Sequence, residues 1–453
     1  MSSRARRLIT LAALSAGGYL VLALAGDLAA RPALYLSVHS ALFVLYLAGV
    51  RESLRAPRHG DRPRQSGAVI LGAAIVFRLV LLPSAPSLSD DVYRYIWEGG
   101  LQLEGINPYQ YAPSDPALAS YRDRVYEGIN NKELPAIYPP VMQWAFAAGA
   151  FMGRTPTAMK MIFVAADIGL ILTLGALLRA LRVPPARLLI YAWNPIAVVE
   201  VAGSGHNDPL PLFFLVASTL GIIGKRRMVS TMALAAAALS KLFPIALVPL
   251  FARRVRPWHL LLVPALFAVC YLPYLAAGGN LYRSAVEYSE RWRSNDSAFA
   301  VMVWAIDLSG APAAAKAWAD ARGLDSLYTQ PHMIARVIAA LIALAALAAL
   351  TVRQWRSGDE PSRAIFLFTG LVLVLQPTMH PWYLLWILPW LAIHPSAGWI
   401  ALTGLAPLAC LGAPWVRWAE YGPFYLLLAA ETFVAPGVWN RMIEFAGRRR
   451  PAG

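Results

Sequence analysis

From Leu8 to Trp439 the chain repeats one pattern, apolar runs of about 18 to 22 residues between short polar breaks, each long enough to cross a hydrocarbon layer of roughly 30 Å. In that layer no water satisfies the backbone, so each run must close its own hydrogen bonds as a helix. The pattern therefore predicts an all-α, polytopic transmembrane bundle and excludes a small soluble enzyme held by one anchor. Composition agrees, since 58% of the 453 residues are hydrophobic and only 14% charged, too few polar groups to coat a water-soluble surface.

The net charge of +15 is a topology signal rather than a nucleic-acid footprint. Segments 1–7, 51–65, 179–187, 225–227, 253–256, 353–363 and 441–450 carry 24 of the 40 Lys and Arg residues against five acidic ones. Short basic loops mark the cytoplasmic side, so the partner they imply is the bilayer and not nucleic acid. Cys270 and Cys410 both fall in apolar runs and supply no disulfide framework or thiol metal site. Arg4, Arg6 and Arg7 followed by an apolar stretch to Ala25 read as an uncleaved first helix, because a second span follows within a few residues.

Hydropathy and charge together place spans near 8–26, 32–50, 66–83, 158–178, 187–202, 208–224, 228–252 (a broken pair around Lys241), 257–276, 331–352, 363–377, 381–394, 397–413 and 422–438. The expected total is about twelve to fourteen. A span over 138–153 would turn Arg179, Arg182 and Arg187 outward, so that stretch is expected as a juxtamembrane or re-entrant helix. The chain then reads as one membrane domain over 1–453, with three spans in 1–83, a large outer loop with juxtamembrane helices in 84–157, and the remaining spans in 158–453. Both termini are expected in the cytoplasm, with the loops 84–135 and 277–330 outside.

The loop 84–135 holds eight acidic and four basic residues, the reverse of the cytoplasmic loops. Long outer loops of this kind generally carry function. Asp90 and Asp91 open a segment that continues through Arg94, Tyr95 and Glu98 as an amphipathic helix. Two carboxylates at a helix start serve either as caps or, at a membrane face, as a base that takes a proton from a hydroxyl. Four other polar groups gather near span ends: Gly203 to Asp208, which includes His206 and Asn207; Lys241; Arg291 to Asp296, with Trp292 and Asn295; and Gln376 to Tyr383, with His380. A lysine inside a membrane stretch is costly unless it snorkels or meets an anion. A carboxylate base with Lys, Arg and His facing it suits transfer from a lipid-linked phosphosugar, and no nucleotide-binding glycine loop is present to hold a sugar nucleotide.

The ordered set of these residues resembles the GT-C superfamily of integral-membrane glycosyltransferases. It is most similar to the bacterial polyprenyl-phosphate-mannose-dependent mannosyltransferases of glycosyltransferase family 87. The likeness runs over about residues 84 to 390, through Asp91, Tyr95, Gly105, Pro108-Tyr109, Tyr138-Pro139-Pro140, Trp193-Asn194-Pro195, Gly205 to Asp208, Lys241 with Pro244, and Arg291 to Asn295. It implies a GT-C bundle, a polyprenyl-phosphate sugar donor, usually mannose, and inverting transfer to a glycan or glycolipid acceptor on the outer face of the plasma membrane. It makes Asp91 the expected base, with Asp90 the substitute. Lys241, Arg291 and His380, and less strongly Arg94, are then expected at the donor phosphate, while Tyr138, His206 and Asn207 line the cavity. Adjacent acids stand where several relatives have Asp-X-Asp, which leaves a divalent metal, magnesium or manganese, open. The alternatives are a lipid or sugar transporter, or an enzyme of this architecture moving a different lipid-linked sugar.

Overall fold

The computed structural model describes residues 1–56, 61–324 and 327–434. Among them there is no β-strand, only an isolated parallel bridge between Ser294 and Thr378. The chain is an all-α polytopic bundle, as the apolar runs require.

Among the described residues six helices are long and apolar enough to span: α1 (Ser3–Leu24), α2 (Pro32–Leu54), α3 (Pro63–Leu81), then Pro156–Ala180, Pro257–Ala277 and Pro331–Ser357. Their starts are chemically marked. Ser2 and Thr155 cap α1 and Pro156–Ala180 by accepting backbone N–H groups, and proline opens most of the others, where its missing N–H costs nothing.

The remaining expected spans are shorter or broken. The run 187–202 is a chain of short turns, interrupted where Asn194 accepts from the Ile196 N–H and Pro195 restarts the helix. It is held in the interior by Tyr46 Oη donating to the Ile190 carbonyl at 2.9 Å and by Trp193 Nε1 donating to the Ile70 carbonyl at 2.9 Å. The run 228–252 breaks at Lys241 as expected, into Arg227–Ser240 and Phe243–Ala252, with Lys241 itself extended. The runs 208–224, 363–377 and 397–413 give Pro209–Ile223, Ser362–Leu375 and Ala397–Leu411, while 381–394 forms only short helical turns. The last expected span begins with Val416–Ala429, and its end, with the C-terminal arginines, lies outside the described residues.

The segment 277–330, expected as an outer loop, is largely helical. It holds an amphipathic helix, Asn280–Arg291, and then two apolar helices, Ala298–Leu308 and Ala311–Asp320, bent by 67°. The bend falls at Gly310, whose φ of +69° is a left-handed conformation that ends one helix and starts the next.

Two short helices carry the candidate site. α4 (Asp91–Leu103) follows the turn after α3, and α5 (Pro140–Met152) corresponds to the expected juxtamembrane stretch. With 13 residues, α5 is about 20 Å long, short of a full crossing. α4 lies directly on α5: a Cβ at Gly99 would sit 2.2 Å from the Phe146 carbonyl oxygen, so only glycine fits there. One turn away Tyr95 stacks on Phe146 with ring centroids 4.5 Å apart, which fixes the ring that follows Asp91.

Candidate active site

Asp90 occupies the N-cap of α4, yet its side chain caps nothing. The capping role that the sequence allowed for the acid pair is therefore not used. Instead the Asn130 side chain donates to both carboxylates, to Asp90 Oδ1 at 2.7 Å and Asp91 Oδ1 at 3.0 Å. The other oxygen of Asp91 has looser neighbours, Tyr95 Oη at 3.5 Å and His206 Nδ1 at 3.8 Å. Tyr95 Oη lies in turn 3.3 Å from Tyr138 Oη. Burial raises the Asp91 carboxyl above its usual range and the neighbouring Asp90 charge adds to this, while the hydrogen bond from Asn130 opposes both.

His206 comes from the polar turn at 203–208. Gly205 makes that turn possible with φ at +84°, and a side chain there would also meet Lys160 Cγ at 2.9 Å. The His206 ring lies flat on Trp382 with centroids 3.9 Å apart, and Trp382 stacks on His380 at 4.3 Å. Burial lowers both imidazoles, His206 well below its ordinary value and His380 to about 4. A neutral His380 would meet a donor phosphate through an imidazole N–H.

Lys241 is paired with Asp208, whose carboxylate also accepts from the Trp386 indole. Its ammonium sits 5.0 Å over the Trp386 ring and 5.4 Å from that of Tyr383. This satisfies a charge that the sequence alone left unexplained, and the side chain keeps 17% of its surface.

A cavity of about 560 Å³ has Asp90, Asp91, Tyr138, Lys241, Trp292 and His380 in its wall, while His206, expected to line it, is buried and does not reach it. Two expected phosphate ligands are not available there. Arg94 reaches the wall, but its guanidinium is committed to Glu98 and to the carbonyls of Asn131, Leu134 and Pro135. It clamps the loop that carries Asn130. Arg291 is 73% exposed and pairs with Glu287 at 2.8 Å, on the surface of an amphipathic helix. Asn207 is fully buried behind the cavity wall, and Asn295 belongs to a neighbouring cavity.

Sequence reasoning passed over Asn130, Asp208 as the partner of Lys241, and the hydroxyl pair Tyr288–Tyr383, 2.6 Å apart. Asn130 sits in an irregular stretch without periodicity, and only the Asn130-Asn131 doublet marks it, with Asn131 at φ +45°. Among the described residues no group of three or more His, Cys, Asp or Glu side chains is arranged to hold a metal ion.

The fold and the cavity define a polytopic helical membrane protein in which a carboxylate pair and a lysine face one mainly apolar cavity. The family follows from sequence comparison. Residues 8–255 match the family described as alpha-(1->6)-mannopyranosyltransferase, N-terminal domain, and residues 315–411 match the MptB C-terminal domain. The first match alone covers more than half of the 453 residues. The chain therefore belongs to the alpha-(1->6)-mannopyranosyltransferase family, in agreement with the GT-C mannosyltransferase resemblance, and is a mannosyltransferase acting on a sugar donor and an acceptor. No curated protein matches it.

Proposed function

We propose that this membrane enzyme transfers mannose from a polyprenyl-phosphate donor to a hydroxyl of a cell-envelope glycan or glycolipid, forming an α-(1→6) linkage with inversion on the extracytoplasmic face. The observation that carries the reading is Asp91, a carboxylate 27% exposed toward a 560 Å³ cavity, held at one oxygen by Asn130 and open at the other. In this scheme the acceptor O–H gives its proton to Asp91 as its oxygen bonds to the anomeric carbon, and the bond from that carbon to the phosphate oxygen breaks. A single base and an in-line leaving group suffice for inversion. Charge grows on the leaving phosphate, and Lys241 is the cation in reach of it, with His380 and the Tyr288–Tyr383 hydroxyls as neutral partners. The basic loops support the outward assignment of this cavity, because they all lie on the side opposite the acidic loop in the topology read from sequence.

The test uses the full chain in liposomes with labelled polyprenyl-phosphate mannose and an α-(1→6)-linked mannose oligosaccharide. The label is expected in a glycan one residue longer. Label that crosses the bilayer still attached to its lipid, with no glycan product, would identify a transporter instead.

A further inference from the structure

A second cavity, of about 420 Å³, lies behind the first, and Leu88, His380 and Trp382 line both. Its volume falls within the roughly 300–1,000 Å³ of small-ligand sites. Its polar wall differs from that of the Asp91 cavity and comprises Glu200, Asn295 and Arg417, with Tyr35 and Trp382 beside them.

This wall is built rather than incidental. The backbone of Ser294 pairs with the segment before His380, with Ser294 N donating to the Pro377 carbonyl at 3.1 Å and Met379 N to the Ser294 carbonyl at 2.8 Å. That pairing holds Asn295 in a left-handed conformation, φ +52°. Its amide donates to Glu420 at 2.8 Å and its carbonyl accepts from Tyr421 Oη at 2.9 Å. Glu200 is 3% exposed, and its Oε2 makes no hydrogen bond, the nearest cationic-type group being His206 Nε2 at 3.4 Å. A buried carboxyl oxygen without a hydrogen-bond partner is unfavourable, so a ligand bringing hydroxyl groups is favoured there.

The charge balance selects against a phosphate. Arg417 is already 3.5 Å from Asp296, and Glu200 stands across from it. A neutral polyhydroxyl molecule suits this wall, because its hydroxyls can both donate to Glu200 and accept from the Asn295 amide and the Arg417 guanidinium. His206 lies between the two cavities, with Glu200 3.4 Å from one ring nitrogen and Asp91 3.8 Å from the other. The two carboxyl groups thus flank one buried imidazole, and the cavities adjoin beside it at Leu88, His380 and Trp382.

We infer that the second cavity is the acceptor site, holding the terminal sugars of a neutral glycan by Asn295, Arg417 and Glu200, and presenting a hydroxyl past Trp382 to Asp91. This inference rests on the transferase reading given above, and its test separates the two. Equilibrium dialysis of the purified full chain with a labelled α-(1→6) mannotriose, without donor, measures the site alone. Wild type and Asp91→Asn are expected to bind it with Kd values within about twofold of one another, while Asn295→Ala weakens binding about tenfold or more through its lost hydrogen bonds. In turnover, Asn295→Ala should raise the acceptor KM by a similar factor and leave the donor KM unchanged. Should Asn295→Ala fail to fold, Arg417→Met, at a side chain 34% exposed, provides the same comparison.

Mannotriose that binds wild type and both wall variants equally, or binds none of them, overturns the acceptor assignment even if transfer occurs. A polyprenyl phosphate that competes with mannotriose for the Asn295-sensitive site overturns it too. Mannotriose bound in an Asn295-dependent manner by a chain that transfers no mannose would leave the sugar site standing and defeat the transferase reading.

Discussion

Two acidic clusters in the same half of the molecule have opposite designs. At Asp167 the carboxylate is completely buried with a partner at each oxygen: Arg78 binds one, Tyr191 donates to the other, and Arg78 Nη1 also donates to the carbonyls of Ala74 and Ala192 at 3.0 and 2.9 Å. At Asp91 the carboxylate shares one amide with Asp90, has only distant neighbours at its second oxygen, and faces a cavity. Both are ionisable groups in a chain built for lipid, where such groups are costly. The contrast teaches that charge at membrane depth is no sign of function by itself. The sign is a charge the protein has left incompletely satisfied beside space for a ligand.

The comparison can be broken at several points. The largest effect on stability is expected at the closed cluster. Asp167→Asn leaves the Arg78 guanidinium buried and uncompensated, which should cost about 3–5 kcal/mol and appear as a much lower melting temperature in detergent. Pairing Asp167→Leu with Arg78→Met should recover part of that loss, since neither charge then remains. Stability unchanged by Asp167→Asn would remove the distinction between the clusters.

At the open site, Lys241→Gln is expected to lower kcat/KM about 10²-fold by removing the cation at the leaving phosphate. Its melting temperature should fall less than that of Asp167→Asn, because Asp208 keeps its bond from Trp386. Activity within about twofold of wild type would free Lys241 from that role.

A smaller effect is expected in the pH profile. Asp91 acts as a base only when deprotonated, and burial raises its pKa, so activity should fall as pH drops through a value above the ordinary carboxylate range. The Asn130 amide favours the charged form. Asn130→Ala should therefore raise the pKa further and move the acid limb of kcat/KM to higher pH. A limb that stays in place, or moves to lower pH, would show that Asp91 is not the group titrating.

The smallest effect belongs to Arg291→Ala. An exposed ion pair with Glu287 is worth roughly 0–1 kcal/mol, so neither melting temperature nor donor KM should change measurably. A donor KM raised tenfold or more would restore the phosphate role read from sequence.

What was legible in the sequence divides along physical lines. Lipid enforces helix, and helix shows its period and its charge at the ends, so the all-α bundle, the break at Lys241 and the short helix at 140–152 could be read from the residues. Asp91, His206 and Lys241 stood out as polar residues near the ends of apolar runs, and Tyr95 and Tyr138 through the family resemblance. The run 187–202 looked like one span because its apolar content is high, whereas the Asn194-Pro195 break makes it a series of turns. Arg94 and Arg291 have the same chemistry and nearly the same sequence setting. Only the loop folded over Arg94, and the solvent around Arg291, set them apart from Lys241. Asn130 and the Asp208–Lys241 pair depend on contacts 33 or more residues apart, which no local pattern encodes.

The central claim is that Asp91 is the base, and single-turnover transfer from labelled polyprenyl-phosphate mannose by the purified Asp91→Asn chain tests it most directly. The account predicts a loss of about 10²–10⁴-fold in rate with the melting temperature and mannotriose binding retained. Transfer at the wild-type rate by a folded Asp91→Asn protein would contradict it.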